Sequence, residues 1–387
     1  MRSMTITKHY DAVVVGTGGI GSAALYHLAA RGVRSIGLDR FPTAHNRGSS
    51  HGQTRLIRQA YFEHPDYVPL LLRSYQLWRE LEKTVGRTLL VENGLLLGGP
   101  VQGAVLQGVQ RSAAIHNLSI ERISPAETTA RWPSIRLPQA WEAIYEARAG
   151  YLFVEECVRA HMEAAIGAGA HIRHGVTVRS WQSVAGGGVV VRTDGDHYTA
   201  DRLVLAPGSW AADLLNLPAI SLRVLRKSLF WYAAEPAMHT AQNFPCFAFD
   251  DPNGFTYGFP AIDARGVKIA EHTGGKPVHN PLQMDRTIDP AEQQRVEQVL
   301  ADYLPGKVRK RTSHEVCLYT MSRDSHFLVG PHPDHPRVAI AAGFSGHGFK
   351  FASVMGEILA DLATGNASAP HTSHAIGFLS PQRFVNL

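Results

Sequence analysis

The sequence predicts an α/β fold in two interleaved units, and three separated segments carry that prediction. Residues 12–39 read strand, glycine turn, helix, strand. Residues 337–365 repeat strand, glycine turn, helix near the C-terminus, and residues 201–215 add a short β run, a Pro-Gly turn and a helix start. Elements of one unit at the start, middle and end leave the intervening chain to build another. At 387 residues and 44% hydrophobic, the chain also exceeds what one core usually serves.

The N-terminal segment, "DAVVVGTGGIGSAALYHLAARGVRSIGLDRF", opens with a buried strand at Ala12–Val15. Gly16, Gly18 and Gly21 then form GxGxxG, the helix ends near Gly32, and the second strand ends at Asp39, 18 residues beyond Gly21. The physics is close approach. Gly18 lets a pyrophosphate reach the backbone, the helix N-terminus offers free N–H groups, and Asp39 accepts from ribose hydroxyls. An acid at that position favours an unphosphorylated ribose, which NAD and FAD both satisfy.

In "RVAIAAGFSGHGFKFASVMGEILADLATGN", Phe351, Val354, Met355, Ile358, Leu359 and Leu362 form one apolar stripe of core residues, with Gly365 as the stop. Ahead of it, Gly343, Gly346 and Gly348 permit a flat ligand to approach, beneath the positive end of the helix. A reduced flavin, negative at its N1/O2 edge, fits that setting. Lys350 is expected at the helix start, against the dipole, which points to an anionic partner.

A third cluster follows a Gly/Ser turn. In "SSHGQTRLIRQAY", two helical turns would set His51, Arg55 and Arg58 on one face, where three like charges persist more comfortably around an anion. The net charge of +5 is spread along the chain, without the basic stripe of a nucleic-acid binder. Cys157, Cys246 and Cys317 are odd in number and lack a CxxC pair, arguing against disulfides and a Cys-rich metal site; no metal is expected. The N-terminus has a basic start without a cleavage signal, and no stretch approaches the roughly 18 apolar residues of a membrane helix. The expectation is a cytoplasmic protein without membrane or nucleic-acid partners.

These motifs together resemble the monomeric sarcosine oxidase and N-methyltryptophan oxidase group of the glycine/D-amino-acid oxidase superfamily. GTGGIG at 16–21, HGQTRLIRQAY at 51–61, YGFP at 257–260, VKIAEH at 267–272, CLYT at 317–320 and GFSGHGFKF at 343–351 carry it, in order along nearly the whole chain. Gln53 departs from the more usual Asp of an HGDTR string. The resemblance implies a Rossmann-like FAD-binding domain (1–86, 150–220 and 318–387) interleaved with a catalytic domain on a mainly antiparallel sheet (87–149 and 221–317). It implies one FAD per chain, bonded through Cys317, and a monomer acting on a small amino acid and O2.

Residue by residue, the resemblance assigns FAD to Gly16, Gly18, Gly19, Ile20, Gly21, Asp39, Arg40, His51, Thr54, Arg55, Cys317, Gly343, Phe344, Gly346, Gly348, Phe349 and Lys350. Lys268 matches a lysine that activates oxygen: a fixed cation stabilises developing superoxide. Arg58 and Lys350 match a pair that holds the substrate carboxylate. Tyr257, His272 and Gly346 match substrate contacts, and Arg55 and His51 match groups beside the flavin ring. Lys268 and His272 share a strand face. Trp231, Tyr232 and Phe247 read better as core than as an aromatic wall.

The implied reaction is oxidation of the C–N bond of an N-methyl amino acid, sarcosine or N-methyltryptophan-like, giving an imine and hydrogen peroxide. A cyclic secondary amino acid such as pipecolate, or an amine dehydrogenase with another electron acceptor, is the alternative. An NAD-dependent dehydrogenase is the reading the first motif alone would permit.

Overall fold

The computed structural model describes residues 7–365 and 376–384, so the basic start of the chain lies outside it. The three predicted segments meet in one eight-stranded sheet. Thr7–Val15 runs parallel to both Ser35–Leu38 and His197–Leu205, and His335–Ala342 adds parallel to the latter. Near-continuous apolar strands are what a sheet covered on both faces requires: Ala12, Val13 and Val14 are fully buried. Asp39 stands just past the second strand, as its spacing implied.

Helices Gly19–Ala30, Val154–Gly167 and Ala352–Thr364 cover one face, where Leu25, Leu28, Val158, Met162 and Leu359 share a core. The C-terminal apolar stripe is core, as expected, and Gly365 ends its helix in the left-handed conformation. That helix is buried all round. Its carboxylates are therefore paired, Glu357 with Arg73 and Asp361 with Arg31.

A nine-stranded sheet forms the other half, antiparallel throughout except where Cys246–Asp251 runs parallel to Leu95–Pro100. Alternation along its strands separates two faces. Leu97, Leu229, Trp231, Ala248, Tyr257, Cys317 and Tyr319 look toward the first unit. Leu96, Phe230, Tyr232, Phe247 and Ile269 look away, against Val296 and Leu300 of the helix Pro290–Tyr303. The strand Val308–Met321 continues unbroken through residues 317 and 318.

The helical reading of residues 51–58 is wrong. Thr54–Ile57 is a strand, antiparallel to Gly150–Phe153, and the backbone turns at Gly52 (φ 91°) and Gln53 (φ 71°) before it. The β-branched Thr54 and Ile57 and the waiting partner strand outweigh the i, i+4 spacing. His51, Arg55 and Arg58 therefore do not share a helical face. Among the described residues, no helix is long and apolar enough to cross a membrane.

Candidate active site

A continuous cleft runs from the N-terminal glycine turn, between the two sheets, to the cationic residues. At its nucleotide end, Gly16 has φ 84°, and a Cβ there would lie 2.4 Å from the Ala206 carbonyl oxygen. A Cβ at Gly21 would lie 1.8 Å from the Gly16 oxygen, so Gly21 closes the turn from behind while Gly16, Gly18, Gly19 and Ile20 line the cleft. Gly18 faces open space, with only the Ser50 hydroxyl near, at 3.7 Å. Asp39 accepts from the Thr17 N–H (2.6 Å), the Thr17 hydroxyl (3.1 Å) and the Phe41 N–H (2.9 Å) and still lines the cleft. Arg40 lies over the Trp210 ring. This cradle fits a dinucleotide.

The C-terminal loop forms the cleft's far wall through Gly343, Phe344, Gly346, Gly348, Phe349 and Lys350. Here the glycines also serve the protein's own aromatics. A Cβ at Gly346 (φ 82°) would lie 2.2 Å from the Tyr319 ring, and one at Gly348 would lie 2.4 Å from Phe344. Lys350 stands immediately ahead of the α-helix. It belongs to a 3-10 turn, Phe349–Phe351, and the α-helix begins at Ala352. Its Nζ donates to the His347 carbonyl oxygen at 2.8 Å, and burial and Arg58 push its pKa down to about 7 against the pull of Glu63.

His51, Thr54, Lys268 and Cys317 lie just behind the cleft's lining. His51 Nδ1 is 3.1 Å from a Glu315 carboxylate oxygen, while its buried Nε2 has no protein partner among the described residues. Lys268 Nζ donates to the carbonyl oxygens of Gly52 (2.5 Å) and Thr54 (2.8 Å) and meets the Thr54 hydroxyl at 3.3 Å. Burial and Arg55 push its pKa well below the usual lysine value, with Glu155, Cys317 and Glu315 opposing. Arg55 enters the cleft and is held by the carbonyl oxygens of Thr54 and Ser49. Cys317 is paired in register with Lys227 on the next strand, one residue from Leu318 of the lining.

At the cationic end, Arg58 donates through one nitrogen, Nη2, to both carboxylate oxygens of Glu63, at 2.9 and 2.7 Å, and is stacked against Tyr61 and Phe62. Burial alone would raise the Glu63 carboxyl, but Arg58, His347 and Lys350 outweigh it and hold it at about 2. Tyr257 and His272 line the same end, as do Phe62, Leu95, Leu97, Ala248 and Phe255. Burial lowers His272 to about 3, so its imidazole is neutral; Nδ1 is 3.4 Å from the Tyr319 hydroxyl.

Trp231, Tyr232 and Phe247 are core, as their patterning suggested. Trp231 Nε1–H donates to Gln53 Oε1 at 2.8 Å, and the Gln53 amide donates to Asp263, so glutamine serves this loop as donor and acceptor at once. Residue reasoning missed Glu63, Tyr61, Tyr319, His347 and Glu315. Tyr319 and His347 stood inside quoted motifs, whereas Glu315 is brought to His51 across 264 residues of chain, a contact without local signal.

The chain matches the profile of a family described as FAD dependent oxidoreductase over residues 11–362. It belongs to that family. It is 39% identical over 383 residues to a monomeric sarcosine oxidase of Streptomyces avermitilis, covering 97% of this chain and 98% of the relative. To an N-methyl-L-tryptophan oxidase of Yersinia pestis it is 35% identical over 353 residues, covering 91% and 94%. Among solved structures, the open form of NikD, an unusual amino acid oxidase essential for nikkomycin biosynthesis, superposes with a TM-score of 0.83 at 26% identity, covering 97% and 98%. The chain is an FAD-dependent oxidoreductase, and the glycine-lined cleft fits such a cofactor.

Proposed function

We propose that this FAD-dependent enzyme is an oxidase of N-methyl-L-amino acids, acting as a cytoplasmic monomer. The observation that carries the reading is the continuity of one cleft, from the Gly16–Gly21 turn and Asp39 to Arg58, Lys350, Tyr257 and His272. The substrate is recognised as a carboxylate between Arg58 and Lys350, where it competes with Glu63 for the guanidinium. The apolar end at Phe62, Leu95, Leu97, Ala248 and Phe255 suits a substrate whose α-carbon bears an apolar side chain larger than sarcosine's hydrogen. The unit on the eight-stranded sheet is the FAD domain, and the unit on the nine-stranded sheet is the substrate domain.

FAD, when bound, would supply the two-electron acceptor for the C–N bond, with O2 as the final oxidant. The protein's part is to place the C–N bond and keep the amine unprotonated. Burial together with Arg58 and Lys350 disfavours a positive amine. With a pKa of about 3, His272 is too weak a base to take the amine proton and acts as a neutral hydrogen-bonding group. Tyr257, its pKa raised by burial, remains a phenol that donates. Cys317 would hold the cofactor through its sulfur, and Lys268 would stabilise negative charge developing on O2. The test is a peroxide-coupled assay across sarcosine, N-methylleucine, N-methylphenylalanine and N-methyltryptophan, with pipecolate and primary amino acids as controls. Peroxide from the N-methyl series, with a lower KM for the larger members, is expected; its absence throughout overturns the reading.

A further inference from the structure

We propose that His347 is a positioning residue: with Tyr61 it forms a one-way hydrogen-bond chain that aims the Lys350 ammonium at the substrate carboxylate. The inference rests on Lys350 serving as a carboxylate partner. Direction is set at the far end of the chain. His347 Nε2 is 3.0 Å from the Ser325 carbonyl oxygen, which can only accept, so Nε2 carries the ring proton. Burial lowers the His347 pKa to about 4, so at neutral pH the ring has no second proton and Nδ1 is an acceptor. The Tyr61 hydroxyl, 2.6 Å from Nδ1, therefore donates to it.

Its proton committed, the Tyr61 oxygen presents only lone pairs to Lys350 Nζ, 3.5 Å away. A second ammonium proton is taken by the His347 carbonyl oxygen at 2.8 Å. Among the described residues, Lys350 thus has as acceptors the His347 carbonyl and the tyrosine that the His347 ring orients, which leaves one N–H for an anion in the cleft that Lys350 lines. The His347 ring is kept from turning by Phe327, with centroids 4.6 Å apart, and by the edge of Tyr67 at 5.7 Å. A protonated His347 would reverse the chain and turn the Tyr61 O–H toward the ammonium. Other charged groups facing His347 and Lys350 are Glu63, Arg58 and Arg55.

The test titrates the holoenzyme with acetate, following the perturbation of flavin absorbance from pH 6 to 9. Lys350→Met is expected to weaken acetate binding at least tenfold and remove the loss of affinity as pH rises through about 7. Tyr61→Phe and His347→Leu are each expected to weaken it roughly three- to tenfold, the net worth of one ordinary hydrogen bond. Both also move the alkaline loss of affinity to lower pH, because Tyr61→Phe removes an acceptor of the ammonium and His347→Leu no longer holds the Tyr61 O–H away from it. His347→Asn, with an oxygen near the place of Nδ1, restores most of both properties. If Tyr61→Phe binds acetate as the wild type does, or His347→Asn proves as weak as His347→Leu, the positioning role is overturned. Tyr61→Phe, which changes one atom, decides the matter if His347→Leu does not fold. Wild-type affinity in Lys350→Met overturns the carboxylate reading itself and the proposal with it.

Discussion

At Lys268, burial pulls the amine toward neutrality while the proposed work with O2 needs its charge. Because the folded pKa is depressed, the charged form is full at low pH and is lost as pH rises through that lowered value. Flavin reoxidation by air is accordingly expected to slow as pH rises, well before an ordinary lysine would titrate. Lys268→Met is expected to bleach normally with substrate under anaerobic conditions and to reoxidise about 100-fold more slowly or worse, the scale of one lost electrostatic partner. Stopped-flow absorbance reads both halves, and unchanged reoxidation removes the oxygen role. For Cys317→Ser, acid precipitation should leave the flavin in the supernatant. The two arginines separate as well: Arg58→Ala should raise KM by at least tenfold, through loss of its carboxylate grip, whereas Arg55→Ala should change the flavin spectrum and the reductive rate.

Among the elements, the junction of three helices holds an unusual group. His161 of Val154–Gly167 is 1% exposed and packs on Trp78 and Tyr26, and neither ring nitrogen has a protein hydrogen-bond partner among the described residues. Burial lowers its pKa to about 3. A buried polar ring with no partner costs roughly 1–3 kcal/mol, so His161→Leu should be neutral to stabilising at pH 8 and clearly stabilising at pH 5. Thermal unfolding at the two pH values checks this; equal shifts at both would mean that the ring's protonation does not matter. The short strand Thr54–Ile57 teaches the complementary lesson. Its i, i+4 spacing fitted a helix, and pairing with Gly150–Phe153, about a hundred residues away in sequence, joined its β-branched residues in making it β.

For the molecule as a whole, His161 and His347 act in the same sense. Their folded pKa values, about 3 and about 4, lie below the unfolded value near 6.5. Between those limits the unfolded chain binds more protons than the folded one. Stability is therefore fully present above pH 6.5 and falls as pH drops, by up to roughly 1.4 kcal/mol per pH unit for each histidine. Glu63, held at about 2, adds its loss only below pH 4.5. Urea midpoints should thus decline from pH 6.5 downward, before carboxylates protonate; a flat profile to pH 5 would contradict it.

Local rules determined what the sequence alone could deliver. GxGxxG with an acid 18 residues beyond Gly21, and the apolar stripe ending at Gly365, depend on neighbours within a turn or a strand, so nucleotide binding and the α/β class were legible there. The ordered motifs added the flavin and the site residues by resemblance. Tertiary structure alone decided which charges meet. Glu63 on Arg58, Glu315 on His51 and His347 behind Lys350 follow from backbone paths, a β turn-in at residues 52–57 and a 3-10 turn at 349–351, that spacing did not reveal. The physical reason is range: hydrogen-bond periodicity is written into adjacent residues, whereas burial and Coulomb partners are set by segments far apart in the chain.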